Sequence, residues 1–142
     1  MKILFICRGN VGRSQMAASL FGKLAPGHEV ISAGTHVVDK EGNSRDGQKL
    51  KDLPAAEYVI TCMVEEGVDV RENLRRQLTP EMVAGADKII VMAEPETIPD
   101  YLKDSPNAEY WNVVDPKGQS LEIHKEIKEE IRGKLSELMK SL

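Results

Sequence analysis

Short β-branched runs alternate with helix-spaced apolar stripes along this chain, and that alternation restricts the fold more than any other feature. "KILFI" (2–6), "EVISA" (29–33), "DKIIVMA" (87–93) and "EYWNVV" (109–114) read as strands. Each is short, and each runs into turn-forming residues. From Ser14 the period changes: Ala17, Leu20, Phe21 and Leu24 share one helix face, and "APG" (25–27) ends the helix. Ala55, Val59, Cys62 and Met63 form a second stripe ending near Gly67, and a short helix is expected over 80–85. The last helix starts at Ser120, a suitable N-cap, with Ile123, Ile127, Ile131, Leu135, Leu138 and Leu142 as its apolar stripe. The spacing predicts an α/β fold, a three-layer α/β/α arrangement around a four-stranded parallel sheet.

The polar stretch "DKEGNSRDGQKLKDLP" (39–54) reads as an exposed loop rather than a boundary, because neither flank holds enough apolar residues to fold alone. The expectation is one domain over residues 1–142. Lys plus Arg number 19 against 23 Asp plus Glu, a net charge of −4, so a general nucleic-acid binder is not expected. A local positive pocket for a small anion remains compatible with that charge. Two cysteines, Cys7 and Cys62, exclude a disulfide-dense scaffold and suit a reducing compartment. No run is long and apolar enough for a signal core or a membrane span, so no membrane partner is expected and the cytoplasm is the default location.

In parallel sheets ligands gather at the carboxyl ends of the strands. The turns there are "CRGNVGRS" (7–14), "GTHVVD" (34–39), "AEPET" (93–97) and "DPKGQS" (115–120). The first has two readings. Cys7 can be a small hydrophobe ending a strand beside an ordinary turn. Alternatively, five residues between Cys7 and Arg13, two of them Gly9 and Gly12, let the backbone curl its amides toward one anion. Arg8, Gly9, Asn10, Val11, Gly12, Arg13 and Ser14 would then form the phosphate-binding turn. Asn10 tolerates the left-handed conformation, Arg13 supplies a planar fork, and Ser14 offers a hydroxyl to Cys7. Amides, arginine and the following helix end all favour the Cys7 thiolate as a nucleophile toward a phosphoryl group. Asp115, at the fourth strand end, is the candidate acid for a leaving oxygen, and it also suits a plain Asp-Pro turn.

These residues resemble the low-molecular-weight protein tyrosine phosphatases and their arsenate-reductase relatives. "FICRGNVGRSQMA" is similar to the family's nucleophile loop and first helix, and "ISAGT" (31–35) to its turn after the second strand. "EEGVDVRENLRRQLT", "ADKIIVM" and "VVDP" (113–116) follow in the family's order, so the resemblance covers nearly the whole chain. It implies Cys7 as nucleophile, Arg13 as transition-state clamp, and Asp115 as acid and then base. Asn10, Ser14, Ser32 and Asn73 would support the loop. The implied reaction is ping-pong hydrolysis of a phosphorylated protein or small phosphomonoester through a cysteinyl-phosphate. It calls for no metal and no cofactor, with inorganic phosphate or another oxyanion able to occupy the loop.

The chain departs from the family pattern in places. Gly12 stands where members commonly have a second, protective cysteine, and Asn73 where many bacterial members have a histidine. Lys117-Gly118 and His36-Val37-Val38 replace the usual aromatic pocket wall, which weakens the link to phosphotyrosine. Arsenate reduction by the same Cys7 with an external thiol is the alternative, and a non-catalytic phosphate-binding module is a third reading. "RENLRRQL" (71–78) reads as a solvated basic face, and Trp111 as core with Tyr110 near the pocket edge. The three histidines lack metal-ligand spacing.

Overall fold

The computed structural model describes all residues, 1–142. β1 (Lys2–Cys7) is the central strand, and its alternation sorts the core into two halves. Ile3, Phe5 and Cys7 face one side, where Phe21 and Trp111 both pack on Phe5. Leu4 and Ile6 face the other, against Leu78, Val83, Ile98 and Leu102. Burial on both faces is why this strand is apolar throughout rather than alternating.

α1 (Arg13–Leu24) follows the first turn, and β2 (Glu29–Gly34) pairs in parallel with β1. α2 (Glu57–Glu65), α3 (Pro80–Gly85), β3 (Lys88–Val91), α4 (Asp100–Lys103), β4 (Ala108–Tyr110) and α5 (Leu121–Lys140) complete the order. The sheet is four-stranded and all parallel, in the order β2-β1-β3-β4. α1, α2 and α5 cover one face, and α3 and α4 the other, so the three-layer architecture expected from the sequence is present. The chain leaves β1 toward β2 on one side and reaches β3 on the other. The crevice at this reversal lies beyond the ends of β1 and β3, and Cys7 and Met92 sit there.

Several local expectations shift. β4 is three residues long, because its only partner, β3, ends at Val91; Trp111 adds one last bond to the Val91 carbonyl. In the α2 stripe Ala55 is exposed and Ala56 is buried, since Pro54–Ala56 forms a tighter turn before the helix. The 39–54 stretch is tied down: Leu50 is fully buried, and Lys49 bridges Leu74 in antiparallel fashion. α4 has too few apolar residues to show a periodic signal. Ser120 caps α5, accepting from the Ile123 amide at 3.2 Å, but Leu142 lies beyond the helix and is exposed. No helix is long and apolar enough to cross a membrane.

Candidate active site

The turn between β1 and α1 is held by its own carbonyls. The Thr35 amide donates to the Cys7 carbonyl at 2.9 Å and the His36 amide to the Arg8 carbonyl at 2.8 Å. A trans peptide points its N–H opposite its C=O, so anchoring these carbonyls on the β2 turn aims the Arg8 and Gly9 amides the other way. That is the beginning of an anion nest.

Asn10 organises the rest. It is fully buried with φ of 53°, the left-handed conformation that asparagine tolerates better than most residues. Its amide nitrogen donates to Ser14 Oγ at 2.7 Å and Ser32 Oγ at 3.1 Å. Its oxygen accepts from the Arg76 amide at 2.8 Å and from Gln15 Nε2 at 3.2 Å. Both hydrogens and both lone pairs are therefore used. Ser14 Oγ lies 3.0 Å from Cys7 Sγ. Accepting from Asn10 leaves the Ser14 proton free to be donated to the sulfur, the arrangement a thiolate needs.

Arg13 is 3 % exposed and fixed from three sides. Nη1 donates to the Met92 carbonyl at 2.6 Å and the Val113 carbonyl at 3.1 Å, tying the guanidinium to the segments that follow β3 and β4. Nη2 donates to Glu94 Oε1 at 2.9 Å and Oε2 at 3.3 Å, and lies 3.6 Å from Asp115 Oδ2. Asp115 is oriented in turn: its Oδ1 accepts from the Lys117 amide at 3.0 Å, which presents Oδ2 to Arg13. Gly12 caps α1, and a Cβ there would sit 3.6 Å from Pro116, so the first and fourth turns touch. Thr35 Oγ1 donates to Thr97 Oγ1 at 2.9 Å and joins the second turn to the third.

The structure thus brings Cys7, Asn10, Arg13, Ser14, Ser32 and Asp115 together. Asn73 takes a place different from the one expected. It donates to Gln15 Oε1 at 3.2 Å rather than to the loop, and Gln15 passes the contact on to Asn10. Four residues escaped the sequence reading. Glu94 stood in a turn already singled out, and an acidic residue facing a proposed anion clamp was its only signal. Gln15 is a buried polar residue of α1, and Gly34 lies under the loop backbone. Arg75, expected on a solvated face, is 5 % exposed. Leu78 of the same segment is core as well, while Arg71 and Arg76 are exposed.

Cys62 is fully buried in α2, and burial pushes its thiol up from the ordinary range. The core claims Phe5, Phe21 and Trp111; Tyr58 packs edge-on against His124, and Tyr101 donates to the Leu78 carbonyl. Tyr110 is exposed at the end of β4.

The family model described as low molecular weight phosphotyrosine protein phosphatase matches residues 2–142. A probable low molecular weight protein-tyrosine-phosphatase, EpsP, from Ralstonia nicotianae is 37 % identical over 90 residues, covering 63 % of this chain and 54 % of that protein. The match thus spans about half the length of that relative. A putative arsenate reductase of Halobacterium salinarum is 26 % identical, covering 96 % of this chain and 89 % of its own length. Among solved structures, Vibrio vulnificus Wzb in complex with benzylphosphonate superposes with a TM-score of 0.82 at 25 % identity, covering 99 % of this chain and 98 % of Wzb.

Proposed function

This chain belongs to the low molecular weight phosphotyrosine protein phosphatase family, and from that premise we propose that it acts, as one domain, as a cysteine-dependent phosphatase on phosphomonoesters, protein phosphotyrosine among them. The observation that carries the reading is the chain of contacts from Asn10 through the Ser14 hydroxyl to the Cys7 sulfur, with Arg13 and Asp115 at the same crevice.

In the proposed reaction the Cys7 thiolate attacks phosphorus while the bond to the leaving oxygen breaks. The loop amides and Arg13 carry the charge of the transferring group, an electrostatic role that needs preorganised donors. With Nη1 committed to two carbonyls and Nη2 to Glu94, an anion meets Arg13 at the Nε–Nη2 edge only by sharing or displacing Glu94. The proton for the leaving oxygen comes from Asp115. The Asp115 carboxyl lies 3.6 Å from Nη2 of Arg13, within reach of an oxygen leaving a phosphoryl group held there. In the second step Asp115 takes a proton from water as the water oxygen attacks phosphorus, and the Cys7 thiolate leaves.

The name of the Halobacterium relative raises arsenate reduction as a second reading. Arsenate would occupy the same loop, but the resolving thiol would have to be external: Cys62 is buried in α2 and the turn after β3 holds no cysteine. The test is a side-by-side assay of an aryl phosphate, a phosphotyrosine peptide, and arsenate with added thiol. Thiol-independent release of phosphate supports the phosphatase; turnover of arsenate alone supports the reductase. A protein that binds phosphate and turns over none of the three is the binding module.

A further inference from the structure

Arg75 is a buried cation whose side-chain hydrogen bonds go to neutral acceptors. Nε donates to the Gly9 carbonyl at 3.1 Å and Nη1 to Gln48 Oε1 at 2.8 Å. The backbone holds it in place: the Gly47 amide donates to the Arg75 carbonyl at 2.7 Å, and the Arg75 amide to the Gln48 carbonyl at 2.8 Å. The guanidinium lies against the nucleophile loop, since a Cβ on Gly9 would be 3.7 Å from Nη2. A desolvated guanidinium without a carboxylate is costly and calls for an anion. Burial weakens the charged form of Arg75, the ionised Cys7 sulfur supports it, and Arg45 opposes it.

The Gly9 contact also completes a pattern. Thr35, His36 and Arg75 draw three successive carbonyls outward, those of Cys7, Arg8 and Gly9. By the same trans-peptide geometry, the third anchor turns the Asn10 amide away from Arg75.

We propose that Arg75 is a positioning residue for oxyanion capture, fixing the Gly9–Asn10 peptide of the loop and setting a second positive charge against its backbone. This deepens the phosphatase reading and rests on it for the kinetic measurements. Phosphate binding is measured without turnover, so it tests Arg75 even if the protein hydrolyses nothing.

The experiment compares the wild type with Arg75→Ala, Arg75→Lys and Gln48→Ala. The readouts are calorimetric binding of inorganic phosphate and the pH profile of kcat/KM on an aryl phosphate. Arg75→Ala is expected to weaken phosphate about tenfold, as loss of a charged hydrogen bond does, and to move the acid limb to higher pH. Arg75→Lys keeps the charge and loses the fork, so its limb stays at the wild-type pH while kcat falls. Gln48→Ala, which frees Nη1 and leaves the charge, is expected to lower phosphate affinity by less than Arg75→Ala. If Arg75→Ala does not fold, the other two variants decide. Wild-type phosphate affinity, limb and kcat in the folded variants, with only a lower Tm, would overturn the proposal.

Discussion

The α-carbon of Gly34 lies directly beneath the carbonyl of Arg8: a Cβ built on it would approach that oxygen to 2.7 Å, and the Asn10 amide nitrogen to 2.9 Å. Both are backbone of the turn from Cys7 to Ser14, so neither can rotate aside, and Val37 Cγ2 would lie at 2.7 Å as well. Gly34→Ala is therefore expected to push the loop off β2, costing about 1–3 kcal/mol of stability and more than tenfold in kcat. Thermal melting and aryl-phosphate kinetics check this together.

Asn10 combines an unusual backbone with a saturated side chain. Asn10→Ala leaves the Arg76 amide without its acceptor and the Ser14 and Ser32 hydroxyls without their donor, at about 1–3 kcal/mol per orphaned buried group, while Gln15 keeps the Asn10 and Leu74 carbonyls. Asn10→Gly keeps those losses and relieves the positive φ, so it should be more stable than the alanine variant by about 1 kcal/mol. Both should lose turnover, because Ser14 is no longer held toward Cys7. Denaturant unfolding of the pair separates the backbone effect from the network.

Glu94 both orients Arg13 and competes for it. Glu94→Ala removes a charge-assisted hydrogen bond and should lower kcat/KM about tenfold. Glu94→Gln keeps an acceptor for Nη2 and removes a negative charge from the anion site, so inorganic phosphate should inhibit it more tightly than the wild type. Competitive inhibition constants for the three proteins distinguish orientation from competition.

Away from the site, α2 and α5 are joined through a buried ammonium. Burial opposes the charge on Lys128, but hydrogen bonds with Glu66 and Glu65 hold its pKa above the ordinary lysine value. Arg132 and then Lys128 hold Glu66 below the usual carboxylate range, with burial opposing them. A carboxylate depressed on folding stabilises the fold above its unfolded pKa of about 4.3, and that stability fades as pH falls through the folded value. Glu66→Gln should therefore unfold about 1–3 kcal/mol more easily at neutral pH. Melting curves across pH should show its gap to the wild type closing below about pH 4.

Most of the fold was legible because period and burial agree: the apolar runs that mark β1 and β3 are the strands buried on both faces. β4 was overestimated because extended apolar residues after Tyr110 look like a strand but have no neighbour to pair with. The site was legible where chemistry lies within one turn, as in Cys7 to Ser14. It was not legible where a contact spans the chain. Arg75 reaches Gly9 from 66 positions away and Glu94 reaches Arg13 from 81. Neither residue type betrays that in a segment that otherwise reads as polar surface.

The central claim is that Cys7 carries the phosphoryl group between two steps that Asp115 assists. Rapid acid quench of Asp115→Asn with an aryl phosphate, followed by peptide mass mapping, measures that directly. The account predicts a phosphoryl group accumulating on the peptide that contains Cys7, and none in Cys7→Ser under the same conditions. Undiminished turnover in Cys7→Ser, or a label on another residue, would contradict it.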